Sequence, residues 1–304
     1  DKQPVGYLPD CARMNRAGAA VRSVVWNDAE RRPRAPLRLV ATAVLLVVAV
    51  FAVGAAAGAA GVGIRLGPPS ALGTVAFAGI VTAALLLAAA VVDRRRVADL
   101  GLRREPGWIA DLAAGLALGA LLQILIAAVG LAAGWFRVAD AFVGTAGVAA
   151  SVLTFFVAVG VYEELLARGM LLVNVAEGLR FASERVAVAG ALVVSAAVFG
   201  LLHAANPGAS LASTLGVSLA GGFLGVGFVL TGRLSFPIGV HISWNAAQGL
   251  GYGFAVSGFG PEAALLDLEP TGPALVTGGS FGPEAGLLGI AAIALGTAAT
   301  VAWV

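Results

Sequence analysis

Eight long apolar runs constrain this chain more than any other feature. They lie at about Leu39–Ala60, Leu72–Val92, Trp108–Phe136, Val143–Tyr162, Val186–Leu202, Leu211–Leu230, Pro237–Val256 and Ala285–Val304. A hydrocarbon core about 30 Å thick takes roughly 20 apolar residues per helix. Most of the runs meet that length, and they are continuously apolar rather than alternating. Backbone polar groups in lipid must be satisfied internally, so unbroken runs of this kind are read as helices, not barrel strands. The expected fold is therefore all-α, a polytopic integral membrane bundle of about eight transmembrane helices. Composition agrees. Only 12% of the 304 residues are charged and 59% are hydrophobic, against about 25% charge in soluble domains. Intrinsic disorder is excluded on the same ground.

The arginines orient the bundle. If the N-terminus is cytoplasmic, seventeen of the nineteen basic residues fall in inner segments, leaving Arg65 and Arg137 outside. The positive-inside rule favours that arrangement. The expected location is a bacterial cytoplasmic membrane with a cytoplasmic N-terminus; arginine in place of lysine in an Ala/Gly/Val-rich chain suits a GC-rich coding bias. Residues 1–38 read as a basic cytoplasmic tail with little structure, 39–142 as membrane helices without a recognisable motif, and 143–304 as the domain carrying chemistry. The first apolar run is too long for a secretory signal, and Asp1 in place of Met suggests a fragment or a processed chain. A net charge of +2 excludes nucleic-acid binding through bulk charge. Gly221–Gly227 follows no strand, so it marks close helix packing rather than a nucleotide loop. Neither nucleic acid nor nucleotide is expected as a partner; membrane lipid is. Cys11 is the sole cysteine, which rules out an internal disulfide and a thiolate metal cage.

Ionisable groups at membrane depth cost about 2.5–3.5 kcal/mol each on insertion scales, and those that persist there are usually functional. Glu163, Glu164 and Arg168 sit within one apolar stretch. His203 follows the run ending at Leu202, and His241 and Asn245 lie early in the run from Pro237. Both of the chain's histidines are thus at or beside embedded positions. Glu164 and Arg168 are i,i+4 and can pair on one helix face. Glu163 projects about 100° round the helix, free to point elsewhere. His241 and Asn245 share a face in the same way. A carboxylate withdrawn from water can serve as general base, an amide can donate to an oxyanion, and two imidazoles with a carboxylate are ligand types of a catalytic zinc.

Glu163-Glu164-x-x-x-Arg168, Phe199-x-x-x-His203 and His241-x-x-x-Asn245, in that order and spacing, resemble the motifs of the CPBP family. This family comprises the type II CAAX prenyl endopeptidases and the bacteriocin-processing and immunity (Abi) proteins. The resemblance implies an intramembrane endopeptidase, called a metalloprotease in the family, acting on a membrane-associated protein or peptide. It implies a catalytic set of Glu163, Glu164, Arg168, His203, His241 and Asn245. Glu163 activates water there, His203 assists it or binds metal, and His241 with Asn245 stabilises the oxyanion or completes a metal site. Glu163, His203 and His241 are the ligands if Zn2+ is bound. A non-catalytic immunity or scaffold protein of the same fold, and a secondary transporter or proton relay, are the alternatives; no second copy of the motifs supports inverted repeats.

Simple alternation of spans puts these groups at different depths. For a shared site, the helix from Val143 has to continue past Glu163 toward Ala176, and Asn206-Pro207-Gly208 has to break the fifth span just after His203. Cleavage is then expected on the cytoplasmic side of the cavity. Gln123 is expected to hydrogen-bond between helices, and Trp244 to wall the site or simply pack.

Overall fold

The computed structural model describes residues 25–59, 71–260 and 262–304. Cys11, Arg65 and most of the expected tail lie outside them. The described chain is mostly helical, and six of its helices are long and apolar enough to cross a membrane. These are α1 (Ala35–Ala59), α2 (Ala71–Val91), α3 (Trp108–Ala132), α4 (Ala146–Gly178), α5 (Glu184–Leu202) and α6 (Leu211–Thr231). The last two expected spans form shorter helices. α7 (Ser235–Ala246) runs on through a π turn, Ala247–Gly251, and α8 spans Leu287–Trp303. This is a polytopic helical membrane bundle, and the protein is an integral membrane protein.

Two departures from an all-helical reading are small. A hairpin pairs β1 (Trp26–Asn27) with β2 (Arg32–Pro33), and β3 (Phe136–Val143) pairs antiparallel with β4 (Ala264–Pro270). The run expected to be helical through Phe136 stops at Ala132. Gly134, at φ +71°, reverses the chain into β3, a conformation that glycine adopts without a Cβ penalty.

Helix ends sort to two faces. At one face, Asp111 in the first turn of α3 pairs with Arg233 at 2.6 Å, and the Trp303 indole at the end of α8 donates to Asp111. Arg38 of α1 contacts Asp93, Asn174 and Glu177, joining the ends of α1, α2 and α4. Arg32 and Arg95 add further bonds to Glu177. Arg38, Asp93 and Asn174 are almost wholly buried. Residues 25–38 are therefore ordered, which corrects the expected loose tail: Arg32 and Arg38 are structural cations inside a packed ionic network. Twelve described arginines lie at this arginine end, against Arg137 alone at the far end. There Arg137 pairs across the β-sheet with Glu269.

Glycines set the close contacts. A Cβ on Gly119 of α3 would overlap Ser243 Oγ and the Val240 carbonyl of α7. One on Gly239 of α7 would overlap the Leu112 carbonyl of α3. α3 and α7 thus touch backbone to backbone, the geometry that small residues permit between membrane helices. Gly200 and Gly221 do the same between α5 and α6.

Candidate active site

α4 is 33 residues long, about 50 Å at helical rise, and Glu163 lies near its middle. The helix continues past the carboxylates as expected, through a π segment, Leu165–Leu172. Such segments are uncommon and frequent at functional sites. α5 ends at Leu202, and His203 is its C-cap. The chain then turns through Asn206–Gly208, as the Asn-Pro-Gly sequence requires. α7 starts below the arginine face rather than at it. Leu234, its N-cap, donates its amide to the Gly101 carbonyl at 2.9 Å, and Leu100 packs beside Gly169 of α4. Gly169 is six residues beyond Glu163, and Ser235 six before His241. The offsets match, and the two helices present Glu163 and His241 at one depth.

Glu164 Oε1 is 2.8 Å from Arg168 Nη1 and 2.8 Å from His241 Nδ1. Glu164 and Arg168 are fully buried. Arg168 also donates to the Gly221 carbonyl at 2.6 Å, and its guanidinium lies 4.7 Å from the Phe199 ring centre. The Phe199 ring packs against both imidazoles, with centroids 4.9 Å from His203 and 6.0 Å from His241. His203 Nδ1 is 2.8 Å from the Phe199 carbonyl. A carbonyl and a carboxylate accept only, so each imidazole carries a proton on Nδ1 and, when neutral, a bare lone pair on Nε2. Both Nε2 atoms face Glu163, at 3.9 Å for His203 and 4.0 Å for His241, each measured to Oε2. That oxygen is buried and makes no hydrogen bond among the described residues. Three acceptors therefore converge with no donor between them. Asn245, one turn beyond His241, lines the same cavity. All six sequence-expected residues are brought together: Glu163, His203, His241 and Asn245 line the cavity, and the buried Glu164–Arg168 pair stands behind His241.

The interval decides what can occupy it. Two ligands bound about 2.0–2.1 Å from a tetrahedral zinc lie about 3.3 Å apart. The observed separations are wider, and no trio of His, Cys, Asp or Glu among the described residues has metal-ligating geometry. The donor types suit zinc, but the spacing does not. A water hydrogen-bonded at about 2.8 Å to Glu163 and to one Nε2 subtends about 90° at its oxygen, an easy angle.

The site opens into a cavity of about 770 Å³ lined by α2, α4, α5, α7 and, after α7, by Val256, Ser257, Phe259, Gly260 and Glu262. Val148, Val152, Phe155, Phe156 and Val159 form its α4 wall, an i, i+4, i+7 stripe leading to Glu163. A second cavity of about 50 Å³ lies behind His241 and Asn245, lined also by Trp244, Ser257 and Glu284; Trp244 lines this inner cavity, not the larger one, and is part of the packed apolar core. Glu284 was not singled out from the sequence. Its carboxylate accepts from the Ser257 amide and from Gln248, each at 2.5 Å, and Gln248 accepts from Gln123 of α3 at 2.8 Å. Gln123 thus bonds between helices as expected. Burial pushes the Glu284 carboxyl up to about 7, against the lowering effect of those bonds. Gln248 could have been found, because it lies seven residues beyond His241 on the same helical face. Glu284 sits in Gly/Pro-rich text, where no periodicity marks a side chain as inward.

Residues 145–247 match the family model described as type II CAAX prenyl endopeptidase Rce1-like. No curated protein and no solved structure matches the chain. The matched segment runs from the start of α4 through α7 and contains the whole Glu–His–His–Asn constellation. The match supports a CAAX-type intramembrane protease kind of function, which implies a membrane and a protein or peptide substrate. The segment that carries this site is similar, over residues 145–247, to the type II CAAX prenyl endopeptidases.

Proposed function

We propose that the chain is an intramembrane endopeptidase that hydrolyses a peptide bond of a membrane-associated protein or peptide with a water held by Glu163. The observation that carries this reading is the convergence of Glu163 Oε2 with two imidazole Nε2 atoms at 3.9 and 4.0 Å in a largely apolar cavity. A water there donates one proton to Glu163 and the other to His203 Nε2. Its own lone pair then faces the scissile carbonyl. Glu163 takes the first proton as the water oxygen attacks the carbonyl carbon, and passes it to the leaving amine when the tetrahedral intermediate collapses. Asn245 Nδ2 donates to the oxyanion. His241 faces the same oxygen when its ring holds a second proton on Nε2, with Nδ1 still held by Glu164. Arg168 neutralises Glu164, so the carboxylate that orients His241 does not compete for the catalytic proton.

The spacing favours water over a bound zinc, and no step above needs a metal. Full-length protein in detergent, assayed on an internally quenched peptide, tests the reading. Glu163→Gln should lower turnover by about 10²–10⁴-fold, the usual range for a lost general base, with the thermal midpoint unchanged. Chelator should leave wild-type turnover intact. An active Glu163→Gln enzyme refutes the general base, and activity lost to chelator and restored by zinc refutes the metal-free route.

A further inference from the structure

The large cavity and the inner one share Phe199, His203, His241, Asn245 and Ser257. They meet at the reactive centre, and Ser257 is the one shared residue outside the sequence motifs. It belongs to a tight turn, Val256–Phe259. The Phe259 amide donates to the Val256 carbonyl at 3.0 Å, and the Val256 amide to the Phe259 carbonyl at 2.9 Å. Between them Ser257 and Gly258 have φ of +49° and +89°, the signs of a type I′ turn. Glycine takes that conformation freely. A serine there is strained, and it persists only where its surroundings over-determine it.

Four bonds from outside hold the turn and the residue before it. Asn206 Nδ2, just after α5, donates to the Ser257 carbonyl at 2.9 Å, and the Gly258 amide donates to the Phe281 carbonyl at 2.8 Å. The Ser257 amide donates to Glu284 Oε1 at 2.5 Å. Gln248 Nε2 donates to the Ala255 carbonyl at 2.6 Å and to Glu284 Oε2 at 2.5 Å. An ionised carboxylate only accepts, so Glu284 fixes which end of the Gln248 amide faces it and leaves the Gln248 carbonyl to Gln123. One side chain therefore makes one of the four bonds and orients the donor of another. Its mount is rigid: a Cβ on Gly216 of α6 would overlap the Glu284 carbonyl, and one on Gly289 of α8 the Pro283 carbonyl.

We infer that Glu284 is a positioning residue, which holds the Val256–Phe259 turn as the wall against which the peptide lies beside His203 and Asn245. The inference rests on the hydrolase reading for what the wall serves. The bonds that orient Glu164, His203 and His241 come from other segments. Loss of Glu284 thus leaves the reacting groups in place and frees the wall, which has to be re-ordered at each binding event. Ordering about one residue's backbone costs roughly what a tenfold loss of affinity represents, and the loss falls equally on ground state and transition state.

The test uses full-length protein in detergent. Glu284→Ala should raise KM for the quenched peptide about tenfold and leave kcat within about threefold. In a Cys11→Ser background, single cysteines at Val256→Cys in the turn and Ala292→Cys in the core of α8 start 9% and 2% exposed as Val256 and Ala292. Adding Glu284→Ala should speed alkylation of Val256→Cys by N-ethylmaleimide about tenfold and leave Ala292→Cys protected. An unchanged KM, a fall in kcat at fixed KM, or both cysteines opening together overturns the inference. If Glu284→Ala does not fold, Glu284→Asp takes its place: one methylene shorter, it cannot reach Ser257 and Gln248 at once, and wild-type KM and protection in that variant overturn the inference equally. Labelling needs no turnover, and neither does the affinity of Glu163→Gln protein for the peptide, read by fluorescence anisotropy, which Glu284→Ala should weaken about tenfold. A chain that binds the peptide in this way but never cuts it sinks the hydrolase reading and leaves the role of Glu284 standing.

Discussion

Replacing Arg168 with methionine would leave the Glu164 carboxylate fully buried with only the His241 Nδ1 proton to answer it. Arg168 and Glu164 are both wholly inaccessible, and the pair is held at 2.8 Å with a second bond from Arg168 to Gly221. Removing one partner of such a pair costs about 3–5 kcal/mol, because the remaining charge has lost its neutralising ion without regaining water. Replacing both with apolar or neutral groups of similar volume is often close to neutral. Arg168→Met should therefore lower the thermal midpoint sharply, and Glu164→Gln combined with Arg168→Met should recover most of it. Turnover should behave differently. The double variant keeps the volume but replaces the carboxylate that fixes His241, and loss of a carboxylate orienting a functional imidazole typically costs about 10–100-fold. The assay is a double-mutant cycle read twice on full-length protein, once by thermal unfolding in detergent and once by peptide cleavage. A midpoint for Arg168→Met equal to wild type would refute the buried-pair reasoning. Full turnover in the stable double variant would refute the role of Glu164 in holding His241.

Three further outcomes are expected. Asn245→Ala should lower turnover by about 10²–10³-fold, the usual cost of a lost oxyanion donor, with little change in midpoint; unchanged turnover would remove Asn245 from the site. Gly119→Ala should destabilise by about 1–3 kcal/mol, since the added methyl meets Ser243 and the α7 backbone, and it should also slow turnover by shifting His241; a wild-type midpoint would show that the two helices are not in backbone contact. Burial raises the Glu284 carboxyl from 4.5 to about 7, so the folded state holds that proton more tightly than the unfolded chain. The associated stability is complete below pH 4.5 and is lost as pH rises to about 7, amounting to roughly 3 kcal/mol at most. The thermal midpoint should fall between pH 5 and pH 8, Glu284→Gln should flatten that slope, and coincident profiles would refute the assignment.

The Glu164–Arg168 pair and the free direction of Glu163 are readable from the chain because helical spacing is a local property: 3.6 residues per turn places i and i+4 together whatever surrounds them. The same holds for His241 with Asn245, and for the turn that Asn206-Pro207-Gly208 forces after His203. The long apolar runs likewise announce a membrane bundle, since lipid admits almost nothing else. None of this locates a residue in depth. Alternating the spans misplaces His203 relative to Glu163, and only the length of α4, with its π segment, and the sunken start of α7 at Leu234 bring the groups level. Arg32 and Arg38 read as topology charges, yet the fold buries them against Asp93 and Glu177.

What the amino-acid order determined alone is the kind of solvent this protein lives in, the orientation its arginines favour, and the identity and helical phase of the reactive side chains. What only the tertiary structure decided is that Glu163, His203 and His241 face one another across about 4 Å, and that Glu284 and Gln248 stand behind them. Helical phase follows from backbone geometry within a few residues. Depth and facing depend on how helices dozens of residues apart in the chain settle glycine against backbone, and that balance of packing is not written in any one segment.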